Sequence, residues 1–304
     1  MKINNNLFNT EISYPQKFSV IFEESINLIF LKVFSFNGAI DNIVLLFIVS
    51  CSTVPITGRK RMNLVSDAQI LPASFAQYEG FLKENKISAD KKNTIEIQNV
   101  GLNISKAVDK FMRANGMVNE ADSYRWEFNL IEDKSVNAWC MPGGKVVFYT
   151  GILPICANTD GIAAVMGHEV AHALANHGQQ RMSAAYLQAG IAMAGNVAIK
   201  DEQSLNIFNQ SFGIASTVGG MLPFSRSHET QADEIGLRLM AIAGYNPDEA
   251  AELWKRMKAN SGGQAPPEFL STHPSNDTRI ANLTKWSPEA KKEAAKFGIT
   301  SFRE

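Results

Sequence analysis

The apolar positions of this chain mark out a series of helices around one short block of strands. Ser66-Asp67-Ala68-Gln69 has the pattern of a capping box and predicts a helix from there to about Glu84, with Pro72 near its start. Residues 94–114 place Ile95, Ile97, Val100, Leu102, Ile104, Val108 and Phe111 at helical spacing and predict a second helix. Residues 124–131 alternate apolar with polar and predict a strand; 136–141 and 146–150 predict two more, joined through Pro142-Gly143-Gly144. Residues 162–175 are apolar and alanine-rich, the mark of a buried helix. Residues 184–222, rich in Gly, Ala and Ser and broken by Lys200-Asp201-Glu202, predict a helical hairpin over a cleft. An amphipathic helix is expected over 230–243 and another from about Pro247-Asp248-Glu249, followed by a loop at 262–267 and a short peripheral helix at the end. The pattern is that of a mostly α, α+β protein.

Composition narrows the class. The chain has 304 residues, enough for one large domain or two small ones, and shows no internal repeat. Its net charge is −1, which gives no electrostatic footprint for nucleic acid. The start differs from the rest: an apolar run over 43–49 leads through Ser50 to Cys51 and resembles a bacterial lipobox. The run is shorter than the roughly 20 residues a spanning helix needs. This reading makes 1–51 a leader, Cys51 a site of lipidation, 52–65 a polar tether and 66–304 one domain. Residues 1–42 precede the run and Asp41 stands near its border. Either the true start lies downstream of Met1, or the early segment is genuine and Asn27-Leu28-Ile29-Phe30-Leu31 belongs to an irregular leader. A mature lipoprotein cysteine would carry more than the single acyl chain that gives only marginal membrane binding. Cys140 and Cys156 are the other cysteines, expected either as a disulfide or as buried thiols.

The chemistry lies inside the buried helix, where His168-Glu169-Val170-Ala171-His172 spells HExxH. Histidines four apart share one helix face, so both imidazoles can reach one zinc ion, and the glutamate between them can take a proton from a water there. A chance match in a chain this long has odds of about one in a hundred. Catalytic zinc needs a third protein ligand. The positions three and six after His172 are Ala175 and Gly178, which excludes the metzincin pattern. His177 falls well round a continuous helix from His172. Glu229 and Asp233, four apart, are the best candidates, one to ligate and the other to accept the free N–H of a zinc histidine. His228 is a rival ligand. All five histidines fall between His168 and His273, and His273 precedes Pro274 in a loop where it can donate to an oxyanion or close the zinc in a resting state.

HEVAH, then SRSHETQAD, then THPSNDTR, preceded by Asn137-Ala138 and Pro142-Gly143-Gly144, resembles the gluzincin metallopeptidases of the HtpX and CAAX-prenyl-protease type over roughly residues 66–283. The resemblance implies a zincin-like fold with a small antiparallel sheet beside the zinc helix. It implies one Zn2+ per chain held by His168, His172 and Glu229, with Glu169 as general base and Asp233 behind a ligand. It also places His273 and Arg279 near the site, and puts Asn137 and Ala138 on a strand edge that binds substrate. Without the spanning helices of the family's integral-membrane members, the chain is similar to a lipid-anchored bacterial branch. The expected activity is therefore a zinc endopeptidase acting on polypeptides of the bacterial envelope, most simply at the periplasmic side of the outer membrane. The competing class is a latent or non-enzymatic envelope chaperone on the same fold; the presence of Glu169 weighs against it.

Overall fold

The computed structural model describes residues 51–54, 57–62, 64–215, 222–260, 269, 271, 273–274 and 277–302. Apart from Cys51, the described residues all lie in one compact unit, Ser52–Glu304. The apolar run at 43–49 and the loop at 262–267 lie outside them.

Segment 52–65 has structure of its own among the described residues. It carries the strand β2 (Lys60–Met62), paired with β1 (Cys51–Thr53), and Val54 is buried in the main core. Leu64 N–H donates to Ser183 Oγ at 3.0 Å. Helix α1 (Asp67–Glu84) begins at the expected cap, where the Ser66 N–H donates to Gln69 Oε1 at 3.0 Å. Helix α2 (Lys91–Ala114) starts three residues before the expected 94, because Asp90 caps it by accepting from Asn93 N–H. A short helix α3 (Val118–Ser123) leads into the strands.

The sheet is mixed, where the sequence pointed to an antiparallel one. Its order is β3-β5-β4, with β3 (Glu127–Ile131) parallel to β5 (Lys145–Tyr149) and β4 (Ala138–Met141) antiparallel to β5. The β4–β5 hairpin turns at Gly143 and Gly144, with φ of 85° and 88°. A side chain at either would be strained, and at Gly144 it would also meet the Trp126 ring. β4 is therefore an edge strand.

After a short helix α4 (Leu153–Cys156), helix α5 (Thr159–Leu174) runs through the centre of the main core. Asn158 caps it by accepting from Gly161 N–H at 2.7 Å, and every residue from Gly161 to Leu174 is buried. It ends at Asn176, whose left-handed φ of 55° turns the chain, so His177 begins a new helix, α6 (His177–Ala198). Helix α7 (Glu202–Ala215) packs on α6 as the expected hairpin. Helix α8 (Leu222–Ile242) begins earlier than the 230 expected, so Glu229 lies inside it rather than at its start. Helices α9 (Asp248–Asn260) and α10 (Asp277–Lys296) complete the packing around α5 and α8. No described helix is long and apolar enough to cross a membrane. Cys140 and Cys156 are free thiols.

Candidate metal centre and active site

Helices α5 and α8 touch backbone to backbone. A Cβ on Gly236 would lie 2.8 Å from Gly167 C and from His168 N, and one on Gly167 would lie 2.7 Å from Gly236 O. This crossing of two glycines brings Glu229 and Asp233 of one helix against His168 and His172 of the other. Neither glycine was picked out from the sequence.

His168, His172, Glu229 and His273 offer ligand atoms that all lie within 4.8 Å of one another. His168 Nε2 and His172 Nε2 are 3.1 Å apart, and each is 3.4 Å from a Glu229 carboxylate oxygen. His273 Nδ1 lies 2.8 Å from Glu229 Oε2 and 3.2 Å from His168 Nε2. The main chain holds this last histidine in place: His273 N–H donates to Phe269 O, and the fully buried Phe269 donates its own N–H to Val136 O. Two buried imidazoles, a third at the edge and a carboxylate converging on one point form the N/O donor set that zinc takes.

The surroundings set the charge of each donor. Burial alone would raise the Glu229 carboxyl, but hydrogen bonds from His168 and His273 hold it far below the ordinary carboxylate range. Burial and Arg279 press His168 down, yet its hydrogen bonds to Asp233 and Glu229 leave it raised. His172 is lowered well below the ordinary value by burial and by His168 beside it. Burial pushes the Glu169 carboxyl up to about 7. Glu169 Oε1 is buried without a hydrogen bond, and His273 Nε2 stands 3.6 Å from it.

Asp233 sits behind His168, with Oδ1 3.1 Å from His168 Nδ1. Arg279 grips the same carboxylate with both arms, at 2.6 and 2.7 Å, and its guanidinium lies 3.4 Å over the Trp254 ring. Arg279 Nη2 also comes within 3.1 Å of His168 Nδ1, but a guanidinium only donates, so the proton on Nδ1 goes to Asp233. His228, the rival ligand, is not part of the donor cluster; its ring stacks on His177 and its Nε2 faces Gln180. His177 does not share the cluster either, but lies against the back of His172, a place hidden from the sequence by the turn at Asn176. Ala138 is buried at the start of edge strand β4, and Asn137 Oδ1 accepts from its N–H.

Comparison with known proteins bears on this geometry. The profile of peptidase family M48 matches residues 101–287. The chain is 35% identical over 239 residues to the mitochondrial metalloendopeptidase OMA1 of Schizosaccharomyces pombe, covering 78% of this chain and 66% of that protein. It is 34% identical over 246 residues to the enzyme of the same name in Saccharomyces cerevisiae, covering 78% and 69%. It is 26% identical over 176 residues to the beta-barrel assembly-enhancing protease of Escherichia coli, covering 55% and 36%. The chain thus spans about two thirds of the yeast proteins' length. The bacterial-envelope location expected from the sequence is overturned here, because the relatives matched over most of the chain are mitochondrial. The lipid-anchored branch, and with it an anchor at Cys51, finds no support among them. The matched residues contain the whole donor cluster, and the chain belongs to peptidase family M48, a family of zinc metallopeptidases.

Proposed function

We propose that this chain is a zinc-dependent endopeptidase in which His168, His172 and Glu229 hold one metal ion and Glu169 is the general base. One observation carries the reading: a carboxylate oxygen, Glu169 Oε1, is buried without a hydrogen bond beside a cluster of four N/O donors. A buried polar atom without a protein partner is an exception, and a catalytic role is one explanation for it. Zinc bound by these donors supplies Lewis-acid polarisation of a carbonyl and of a water.

The residues supply the rest. Glu169, pushed up to about 7 by burial, is matched to take a proton near neutral pH and return it to the leaving amine. Asp233 and Arg279 fix the ring of His168. The outer edge of β4 offers backbone groups for an extended peptide, which adds as a fourth strand and carries its scissile bond past α5. Asn137 and Ala138 stand at the start of that edge. His273 reaches both the donor cluster and Glu169, where it either donates to the developing oxyanion or closes the metal as a fourth ligand. The substrates are polypeptides, and the names of the yeast relatives support a mitochondrial setting.

The test is Glu169→Gln. The amide should leave fold and zinc content intact while casein digestion falls by about 10² or more. Digestion at a similar rate to the wild type excludes Glu169 as the base.

A further inference from the structure

We infer that His177 is a positioning residue for the metal-binding ring of His172, acting through a directed chain of hydrogen bonds from His172 to His177, Gln231 and Thr57. The inference rests on the reading that His172 Nε2 faces zinc.

His172 Nδ1 lies 2.9 Å from His177 Nδ1, on the side of the ring away from the donor cluster. His177 Nε2 lies 2.9 Å from Gln231 Oε1, and Gln231 Nε2 donates to Thr57 Oγ1 at 2.6 Å. The directions are forced in sequence. With Nε2 turned to the metal, His172 carries its proton on Nδ1 and must donate it. His177 therefore accepts at Nδ1, which puts its own proton on Nε2, where Gln231 Oε1 accepts. The amide of Gln231 then points its N–H at Thr57. Every member has one role, so the chain selects a single tautomer of His172.

The relay is also rigid. His177 is fully buried, and its ring stacks on His228 with centroids 4.1 Å apart and planes within 13°. His228 Nε2 faces Gln180 Oε1 at 3.3 Å, and Gln180 Nε2 donates to Ala175 O at 2.7 Å. Three parts of the chain therefore fix one imidazole: the start of α6, the first half of α8 and the turn at Thr57. Partners behind a metal ligand hold its orientation and commonly contribute 10–100-fold in metal affinity. His168 has an ionic partner of this kind; His172 has a neutral one.

Zinc affinity measured by chelator competition tests the role, together with the visible spectrum of the cobalt-loaded protein. His177→Phe keeps a ring to stack on His228 but removes both nitrogens. It should weaken zinc binding by about 10-fold to 100-fold and shift the cobalt bands. His177→Gln presents an acceptor and a donor at the same spacing and should recover most of the loss. Zinc affinity unchanged in His177→Phe, or no better in the Gln than in the Phe variant, overturns the inference. If His177→Phe does not fold, Gln231→Met decides: it leaves both imidazoles in place and removes the acceptor for His177 Nε2–H. Weaker zinc binding supports the relay, and unchanged binding overturns it. A wild-type protein that binds no zinc overturns the metal reading itself, a different result from wild-type binding that His177→Phe leaves unaltered.

Discussion

His168 and His172 stand one turn apart on α5 and converge on the same donors, but the structure behind them differs in kind. Behind His168 is a buried ion pair, Asp233 with Arg279, roofed by Trp254. Behind His172 is a neutral imidazole, an amide and a hydroxyl. The two rings respond in opposite directions, His168 raised and His172 lowered from the ordinary histidine value. The difference concerns fragility. A buried ion pair holds only while both charges are present, because either one alone is stranded in a low-dielectric interior. A neutral relay loses orientation when cut but strands no charge.

Breaking the ionic side should therefore have the largest effect. Arg279→Met leaves the Asp233 carboxylate buried without its cation and should cost about 3–5 kcal/mol in urea unfolding. Adding Asp233→Asn to that variant should restore much of the loss, and a double variant as unstable as the single one would break the comparison. His273, which touches the front of both rings, comes next. His273→Ala should lower casein digestion by about 10² to 10³ if the imidazole donates to the oxyanion, and raise it if it caps the metal. An unchanged rate with unchanged zinc would remove it from the site.

A smaller effect should follow at the helix crossing that serves the His168 side. Gly236→Ala sets a methyl against backbone atoms of Gly167 and His168, so nothing can move cheaply, and it should cost about 1–3 kcal/mol in thermal unfolding. Gly80→Ala on α1, where a Cβ meets nothing within 4 Å, is the control and should be neutral or stabilising by up to about 1 kcal/mol. The smallest effect belongs to an ion pair outside the site. Asp248 pairs with Lys291 at 2.6 Å and accepts from Ser287, but its side chain is 57% exposed. Burial, the largest single influence, opposes its charge, but Lys291 and Ser287 together hold its carboxyl below the ordinary value. Its contribution is thus present above the ordinary carboxylate range and fades as pH falls through the depressed value. Asp248→Asn should cost under about 1 kcal/mol at neutral pH, with the gap to wild type closing in acid. A cost matching that of Arg279→Met would show that burial is not what separates the two pairs.

The HExxH helix was legible because its signals are local: an apolar run and a fixed four-residue spacing. Glu229 and Asp233 were legible for the same reason, since four residues on a helix define one face wherever the helix begins. What escaped the sequence depends on the path of the backbone. His177 reads as lying round the helix from His172 only if the helix continues, and the left-handed turn at Asn176 reorients it. The close contact of Gly167 with Gly236 joins residues 69 apart (236 − 167), and glycine at either position carries no periodic signal. The Pro-Gly-Gly turn marks the β4–β5 hairpin, but the parallel pairing of β3 with β5 joins strands that no tight turn links, so the sequence carries no local signal for it and the antiparallel sheet came from the resemblance alone. The polar appearance of 52–65 hid Thr57, which anchors the relay behind His172.

The central claim is that Glu229, and not the histidine beside it, completes the zinc site with His168 and His172. Metal content of purified wild type, Glu229→Ala and His228→Ala tests it most directly. The account predicts about one zinc per chain in the wild type and in His228→Ala, and loss of most of it in Glu229→Ala. Zinc retained in Glu229→Ala and lost in His228→Ala would contradict it.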